Sequence, residues 1–333
     1  MNVVTYLLGA GASAQCLPVV KNLSTRIRGI SSTLRTSLTY KQFISHITLP
    51  EKMYNESDLV KEIIEDLEWM ANECDKHSSI DTFAKKLYIL KNHDQYIRLK
   101  VILSVYFTLE QKYNTPDLRY DNFWASIIES KDIFPDLIRI VSWNYDFQLE
   151  QSYLNFSDSN KLMDAYSKLD IRSFWDSNRK TDEKCFSVYK LNGSATISHT
   201  GEFPAYFSDN LDDDYQFYNT LLKRYALLKS NSHYKQNISF AWEHKLNHEY
   251  FKELKLSLWN TTTLVVIGYS FPYFNRKIDK YLLECMPFLE KVYFQAPDAS
   301  NLKERFSAIN TKILQANLLE RVDLDQFTFP NEL

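Results

Sequence analysis

Short apolar runs rich in β-branched residues recur along the chain, and each run ends in small or polar residues. Five of them predict buried strands of a parallel sheet: Val3 to Leu8, Ile138 to Ser142, Phe186 to Leu191, Thr262 to Ile267 and Lys291 to Gln295. The carboxyl ends of parallel strands share one edge of a sheet, where open α/β proteins build their sites. The pattern therefore predicts an α/β fold with a Rossmann-like parallel sheet.

Long segments between these runs have apolar residues at helical spacing, and they predict helices at Asp58 to Cys74, Ile80 to Tyr113, Tyr215 to Leu228, Trp242 to Leu256 and Asn301 to Val322. Polar, turn-rich stretches at Asn155 to Thr181 and Asp209 to Asp214 predict surface loops. A crossover between parallel strands needs only about a dozen residues. The excess predicts helical insertions at about 43–132 and 206–258 within a single domain of residues 1–333.

Composition narrows the classes of partner. With 39 basic and 42 acidic residues, the net charge of -3 gives no electrostatic support for binding nucleic acid or an anionic membrane. The aromatic content of 15% indicates core packing and a subunit interface more than a base-stacking platform, so we expect a homo-oligomer. No apolar stretch approaches the ~18 residues of a membrane span, and the amino terminus lacks a signal peptide, which predicts a cytoplasmic protein.

Metal binding is not expected from the cysteine and histidine spacing. The 4 cysteines are far apart and form no C-x-x-C pair, so they predict reduced thiols rather than a zinc site or a disulfide framework. His244 and His248 are four residues apart on a predicted helix, but no third ligand is evident. A solvated helix face is the favoured interpretation.

The first candidate motif is a glycine-rich loop directly after the first predicted strand. Gly9, Gly11 and Ala14 fit the spacing of the dinucleotide-binding pattern, in which backbone N–H groups face a pyrophosphate. A Rossmann dehydrogenase would have an acidic residue ~20 residues later. Here the first acidic residue is Glu51, so the loop is predicted to serve a nucleotide in another fold. The alternative is a glycine turn needed only for backbone geometry.

Further polar residues follow the other predicted strands. Asn144 and Asp146, after the second strand, could bind a sugar hydroxyl, a water or an amide N–H, or could close an Asx turn. Ser270 and Asp298, after the last two strands, could contact the adenosine half of a nucleotide or cap helices. His77 and His199 are the histidines whose positions leave a role in the site open.

Four motifs in order give the chain its family resemblance: Leu8 to Ser13, Ser142 to Asp146, Lys190 to Ser194 and Ile267 to Phe271. In this order the chain resembles the SIR2-like, sirtuin-fold domains of bacterial anti-phage defence. The resemblance implies a SIR2/DHS-like NAD-binding fold that cleaves the bond between nicotinamide and ribose. Sirtuin deacylases also have a module with paired C-x-x-C zinc ligands, which this sequence lacks. NAD hydrolysis, with NAD as substrate and no metal, is therefore favoured over protein deacylation.

Residue by residue, the resemblance implies that Gly9, Gly11 and Ser13 hold the diphosphate, together with Ala10 and Ala12 of the same loop. It implies that Asn144 aligns the nicotinamide ribose and the attacking water, and that Asp146 steadies the ribose or the amide. The cofactor-binding set is completed by residues of the third and fourth motifs and one further loop: Gly193, Ser194, Gly268, Ser270 and Asp298.

Asn192 departs from the family, which usually has a histidine at this position. An amide takes no proton at neutral pH, so Asn192 can bind a ribose hydroxyl but cannot be a general base, a role worth ~10²- to 10⁴-fold in rate. Three explanations stay open: cleavage depends mainly on stabilising a ribosyl cation, His199 or His77 enters the site from another loop, or the protein binds without catalysis. Retained catalysis is the favoured one.

The sequence thus predicts an NAD+ hydrolase effector that depletes NAD+ in abortive infection once a partner or ligand activates it. The alternative is a non-catalytic sensor or scaffold subunit that binds NAD or ADP-ribose. Transfer of ADP-ribose to a macromolecule is a third possibility. The family resemblance implies an oligomer or a separate sensor subunit as activator.

Overall fold

The structure is a computed structural model that describes residues 2–18, 22–40, 46–48, 53–130, 133–175, 185–199, 205–208, 213–230, 233–309 and 316–333. The chain divides into two compact units. The first comprises Met1–Gln15, Pro116–Ser194 and Ser239–Leu333, and the second comprises Cys16–Thr115 and Ala195–Ile238. The chain therefore enters and leaves the second unit twice.

The strands of the described residues are, in chain order, β1 (Val3–Leu8), β2 (His46–Thr48), β3 (Met53–Asn55), β4 (Ile138–Ser142), β5 (Ile171–Ser173), β6 (Ser187–Lys190), β7 (Thr196–His199), β8 (Ala205–Tyr206), β9 (Tyr234–Gln236), β10 (Thr261–Ile267), β11 (Lys291–Gln295) and β12 (Asn317–Arg321). The α-helices are α1 (Leu23–Tyr40), α2 (Glu56–Lys76), α3 (Ile80–Ile89), α4 (His93–Tyr113), α5 (Leu118–Ile127), α6 (Gln148–Tyr153), α7 (Leu162–Lys168), α8 (Asp214–Ser230), α9 (Glu249–Leu258), α10 (Arg276–Glu284) and α11 (Ala299–Ser307).

A seven-stranded sheet forms the centre of the first unit, in the order β12-β11-β10-β1-β4-β6-β5, and all its described strand pairs are parallel. Every residue of β1 and β4 is buried, as expected for strands of a parallel sheet that is covered on both faces. A large apolar cluster joins the sheet to α9, α10 and α11. The predicted α/β, Rossmann-like parallel sheet is confirmed.

Two strands lie where the sequence predicted other structure. The predicted surface loop Asn155 to Thr181 contains α7 and β5. The predicted final helix Asn301 to Val322 is correct as far as Ser307, where α11 ends, and is wrong at its end, where β12 follows. Both strands are short and partly polar, so their alternation is too weak to recognise. β5 pairs with β6, and β12 pairs with β11. These pairings between distant parts of the chain determine the strand conformation, and a local sequence pattern does not contain them.

The predicted helices also need correction. The segment Ile80 to Tyr113 forms two helices, because Lys91 between them has a left-handed φ of 54°. The predicted helix Trp242 to Leu256 is wrong in its first half: a short 3-10 helix ends at Glu243, and α9 starts at Glu249. Of the acidic stretch Asp209 to Asp214, residues 209–212 lie outside the described residues, and Asp214 begins α8.

The second unit consists of helices α1 to α4 and α8, a β2–β3 hairpin and a three-stranded sheet in the order β8-β7-β9. It differs in extent from the predicted insertions, since residues 116–130 and 239–258 belong to the first unit. Among the described residues, no helix has the length and apolar character needed to cross a membrane. Within the same part of the chain, no cluster of three or more His, Cys, Asp or Glu side chains could hold a metal ion.

Candidate functional site

The strand register brings the motif-bearing loops to one edge of the central sheet. Leu8 at the end of β1 is aligned with Ser142 of β4 and with Ile267 of β10. Further out in the sheet, Ser142 is aligned with Lys190 of β6, and Ile267 is aligned with Gln295 of β11. Hydrogen bonds continue past the strand ends, from Trp143 N to Leu8 O over 2.9 Å, and from Leu191 N to Ser142 O over 2.8 Å. The loops after five neighbouring strands therefore start from a common row.

The order of the strands also marks a particular place along this edge. From β1 the chain continues to β4, β5 and β6 on one side, and later to β10, β11 and β12 on the other. Open α/β sheets bind ligands outside the carboxyl ends of the strands where the strand order reverses. In this protein the reversal lies between β1 and β10, the strands that carry the loops of Gly9 and Gly268.

These two glycine loops pack directly against each other. Gly9 N donates to Ile267 O over 2.9 Å, and Gly11 N donates to Gly268 O over 3.0 Å. A Cβ on Gly11 would lie 2.6 Å from the Gly268 Cα, and Gly268 has a φ of +59°. Close backbone approach therefore explains the glycines at positions 9, 11 and 268 irrespective of any ligand. The loop continues as a short 3-10 helix, Ala10–Ser13, in which Ala10 is exposed, whereas Ala12 and Ser13 are buried.

Asn144 connects the loop after β4 to the glycine loop. Its Nδ2 donates to Gly9 O over 3.0 Å and approaches Ser13 Oγ at 3.4 Å. Its own backbone N–H donates to Ser142 Oγ over 3.1 Å. The side chain is 7% exposed, so its amide is held in one orientation by these contacts. With Nδ2 used in this way, Oδ1 is the atom that Asn144 offers to a ligand.

Asp146 is a buried carboxyl two residues further along. Burial raises the pKa of Asp146 to about 6, although the Lys190 ammonium, the Gln148 N–H and the Ser13 hydroxyl all act to lower it. The Gln148 N–H donates to its Oδ1 over 3.1 Å. Ser13 Oγ lies 3.4 Å from Asn144 Nδ2, so the first two motifs meet at this hydroxyl.

Asn192 lies beside the second motif, in the turn after β6. Its Nδ2 donates to Trp143 O over 3.2 Å and to the Tyr145 hydroxyl over 3.4 Å. Its Oδ1 is buried and has no hydrogen-bond partner among the described residues. The next residue, Gly193, has a φ of +68°, a conformation that favours glycine, and Ser194 is buried. Asn192 Oδ1 is thus a buried acceptor whose hydrogen-bonding capacity the described residues do not meet.

A buried ion pair that the sequence did not single out lies beneath these loops. Lys190 Nζ is 3.0 Å from the Glu150 carboxylate and donates to Asp146 O over 2.6 Å. Both side chains are almost fully buried. Two features of the sequence could have indicated this pair: Lys190 is a charged residue at the end of an apolar strand, and Glu150 is an acid four residues after Asp146. The pair positions the backbone that carries Asp146 and places a positive charge near its carboxyl.

The remaining sequence candidates are not part of this contact network. Ser270 is exposed, and Asp298 is exposed at the N-cap of α11, where its side chain makes no capping hydrogen bond. His248 caps α9 by accepting from Tyr250 N over 3.3 Å, and His244 lies before this helix and is buried. The prediction that both histidines lie on one solvated helix face is therefore wrong.

The two histidines considered as bases belong to the second unit. His77 contacts Glu73 O over 2.9 Å at the end of α2, and His199 packs against Tyr234 with 4.8 Å between ring centroids. These contacts give both rings local packing roles.

The assembled site contains amide, hydroxyl and carboxyl groups of one compact unit, at the carboxyl ends of β1, β4 and β6. Such groups can bind sugar hydroxyls and a carboxamide, and a buried carboxylate can stabilise a positive charge. No protein-family model matches the sequence, and a search of curated proteins gives no match either.

Proposed function

We propose that this protein is an NAD+ hydrolase that releases nicotinamide and ADP-ribose. The observation that supports the proposal most directly is the meeting of Asn144 with the glycine loop at Gly9 O and Ser13, with the buried Asp146 carboxyl two residues along, next to the point where the strand order reverses. The order of the four motifs adds the resemblance to SIR2-like defence domains. The glycine loop would then border the diphosphate, although the N–H groups of Gly9 and Gly11 donate to Ile267 O and Gly268 O and, contrary to the expectation from the sequence, do not face a ligand. The loop after β4 would hold the nicotinamide ribose.

The proposed reaction breaks the bond between the ribose C1′ and the nicotinamide nitrogen. Nicotinamide leaves as a neutral molecule with the bonding electrons, and water adds to C1′ and releases one proton. The transition state resembles a ribosyl cation, as in other glycosidic cleavages, so negative and dipolar groups near C1′ lower the barrier. Asn144 Oδ1 would align the ribose or the water. The Asp146 carboxylate, ionised above its pKa of about 6, would accept from a ribose hydroxyl or the carboxamide.

Asn192 supports a mechanism without a histidine base. In this proposal Asn192 borders the ribose, and solvent takes the proton of the attacking water. The rate without a base is expected to be lower by ~10²- to 10⁴-fold than with one. Activation by a ligand or a partner subunit, self-association and action in the cytoplasm complete the proposal.

Nicotinamide release from purified protein tests the proposal. We expect NAD to be cleaved by the native protein, alone or with the products of neighbouring genes, and cleavage to be lost in Asn144→Ala. Asn155→Ala, which removes an exposed asparagine of the same unit, is the matched control and should keep full activity. Equal nicotinamide release from native protein and Asn144→Ala, or none under any condition, would contradict hydrolysis.

The second candidate function is a sensor that binds NAD or ADP-ribose without cleaving it. The observation that favours it is the amide at position 192, which cannot accept a proton. Calorimetry separates the two functions: binding without turnover, unchanged by Asn192→His, would favour the sensor. Label from NAD that becomes attached to a macromolecule would instead indicate transfer of ADP-ribose.

A further inference from the structure

The first turn of α5 touches the glycine loop from beneath. Arg119 Nη2 donates to Gly11 O and to Ala12 O, each over 3.0 Å. The guanidinium is also paired with Asp117, through Nε to Oδ1 at 2.9 Å and Nη2 to Oδ2 at 2.6 Å. Both side chains are buried, at 4% and 0% exposure. One cation thus binds two consecutive carbonyl oxygens of the loop and its own counter-ion.

Asp117 holds the far end of the same loop. Its Oδ2 accepts from Gln15 N over 3.1 Å, while its Oδ1 accepts from Arg119 N over 3.0 Å. Tyr120, one residue further, shares a hydrogen bond of 3.1 Å with Ser13 Oγ. The turn therefore fixes the loop at Gly11, Ala12, Ser13 and Gln15.

The same turn is connected to the Asp146 carboxyl. The Asp117 N–H donates to Gln148 Oε1 over 2.8 Å, and the Gln148 N–H donates to Asp146 Oδ1 over 3.1 Å. Gln148 is fully buried, so no solvent competes for these bonds. The first turn of α5 is thereby hydrogen-bonded to both the glycine loop and the loop after β4.

Removing one member of a buried ion pair leaves the other charge buried without a counter-ion, which is strongly destabilising. The intact pair is nevertheless weak evidence for a net contribution to stability, because both charges had to be desolvated. What this pair supplies is geometry, since the planar guanidinium can reach two carbonyls and a carboxylate at once. A lysine ammonium is a point charge on a flexible stem and cannot reproduce this fork.

We propose that Asp117 and Arg119 are positioning residues that hold the glycine loop in its nucleotide-binding conformation. The role rests on the proposed function, because the ligand is taken to be the diphosphate of NAD or ADP-ribose. The pair acts through the loop backbone and does not contact the ligand.

Two arginine variants test this role. Arg119→Lys keeps the charge but loses the fork. Arg172→Lys is the matched control, because Arg172 is also buried and paired with an aspartate two residues earlier, Asp170, but it lies on β5 and contacts Tyr189. Both variants are examined by amide hydrogen exchange without ligand and by calorimetry with ADP-ribose and with free nicotinamide, well below their unfolding temperatures.

We expect exchange at residues 11–15 to become at least tenfold faster in Arg119→Lys only, and the dissociation constant of ADP-ribose to rise about tenfold, a difference of ~1.4 kcal/mol. Nicotinamide, which has no diphosphate, should bind both variants equally. Unchanged loop exchange in Arg119→Lys, or faster exchange with unchanged ADP-ribose affinity, overturns the positioning role.

If the native protein binds neither NAD nor ADP-ribose, the proposed function is wrong and the positioning role for nucleotide falls with it. Loop exchange then still decides whether the pair holds the loop. Should Arg119→Lys fail to fold, Asp117→Asn provides the second variant. It keeps an acceptor for Gln15 N but loses the ion pair, and the same exchange and binding results are expected.

Discussion

At the scale of single residues, the site contains a carboxyl whose charge depends on a balance of opposing effects. Burial favours the neutral form of Asp146, and Lys190 favours the ionised form, with a resulting pKa of about 6. A carboxyl with a raised pKa stabilises the folded state most below its unfolded pKa and loses this contribution as pH rises to about 6. Acid therefore does not unfold the protein through Asp146, but it removes the charge that the proposed contact with the ligand requires.

Binding of ADP-ribose is consequently expected to weaken in acid. Below pH about 6, the dissociation constant should rise roughly tenfold per pH unit as Asp146 is protonated. Asp146→Asn keeps an acceptor for Gln148 N and should bind weakly but with a much flatter pH profile. Calorimetry between pH 5 and 8 measures both profiles, and parallel profiles would refute a role for this carboxyl.

Asn192 permits a gain-of-function experiment. A histidine at this position places an imidazole beside Tyr145, where it can accept the proton of the attacking water. We expect Asn192→His to increase nicotinamide release by ~10-fold or more above pH 6.5, the imidazole's ordinary pKa. The comparison uses initial rates against native protein. A slower or unchanged variant would mean that the site has no place for a base here.

At the scale of elements, two loops meet without side chains between them. Gly11→Ala puts a Cβ 2.6 Å from the Gly268 Cα, so the loops must separate, at a cost of ~1–3 kcal/mol in the free energy of unfolding. Gly29→Ala is the control, because its Cβ would meet no heavy atom within 4 Å in the middle of α1. It should be stabilising by ~0.5–1 kcal/mol. Urea unfolding of both variants tests the contrast, and equal midpoints would contradict it.

A second buried carboxyl connects α10 to the loop after β10. The Tyr269 hydroxyl donates to Asp279 Oδ1 over 2.8 Å, and burial raises the pKa of Asp279 from 3.8 to about 7. Its contribution to stability is therefore complete below pH about 4 and is lost as pH rises through about 7.

Asp279→Asn should make the free energy of unfolding less dependent on pH. Between pH 5 and 8 the native protein should lose stability relative to this variant, because only the native carboxyl must ionise in an apolar surrounding. Asp325→Asn changes an exposed carboxyl of the same unit and serves as the control. Chemical denaturation at both pH values gives the comparison, and a constant difference between native protein and Asp279→Asn would exclude the effect.

The elements that the sequence predicted correctly are those whose own residues determine them. β1, β4 and β11 contain mostly apolar residues that are buried in the sheet, and α2 has a clear apolar face and an Asn55 cap. By contrast, β5 and β12 depend on their neighbours in the sheet, and His248 shows that a cap can resemble a helix interior. Local patterns cannot contain that information.

The site was predictable to a similar extent. Glycines and asparagines after strands locate Gly9, Asn144 and Asn192, because strand ends of parallel sheets are predictable places for a site. The buried charges of Lys190 and Arg119 could not be identified in this way. Their roles depend on a partner far along the chain, and a charged residue in a sequence is usually on the surface.

At the scale of the whole molecule, the contacts of the candidate site belong to the first of the two units. ADP-ribose at 100 times its dissociation constant should stabilise that unit by ~2.7 kcal/mol. Amide hydrogen exchange should show protection at residues 9–15, 143–146 and 192–194. Helices α2 to α4 of the second unit provide the internal comparison. Protection confined to those helices would place the nucleotide elsewhere.

The attachment of the second unit has a structural consequence. Its first segment, residues 16–115, lies between Gln15 and Pro116, and the Gln15 N–H donates to Asp117. Its second segment, residues 195–238, lies between Ser194 and Ser239, and Ser239 N donates to Asn192 O over 2.8 Å. The two ends of each segment are therefore joined by a hydrogen bond between residues of the first unit. Because closing a longer loop between fixed ends costs little more, we expect changes in the length of residues 16–115 or 195–238 to leave the course of the sheet unchanged.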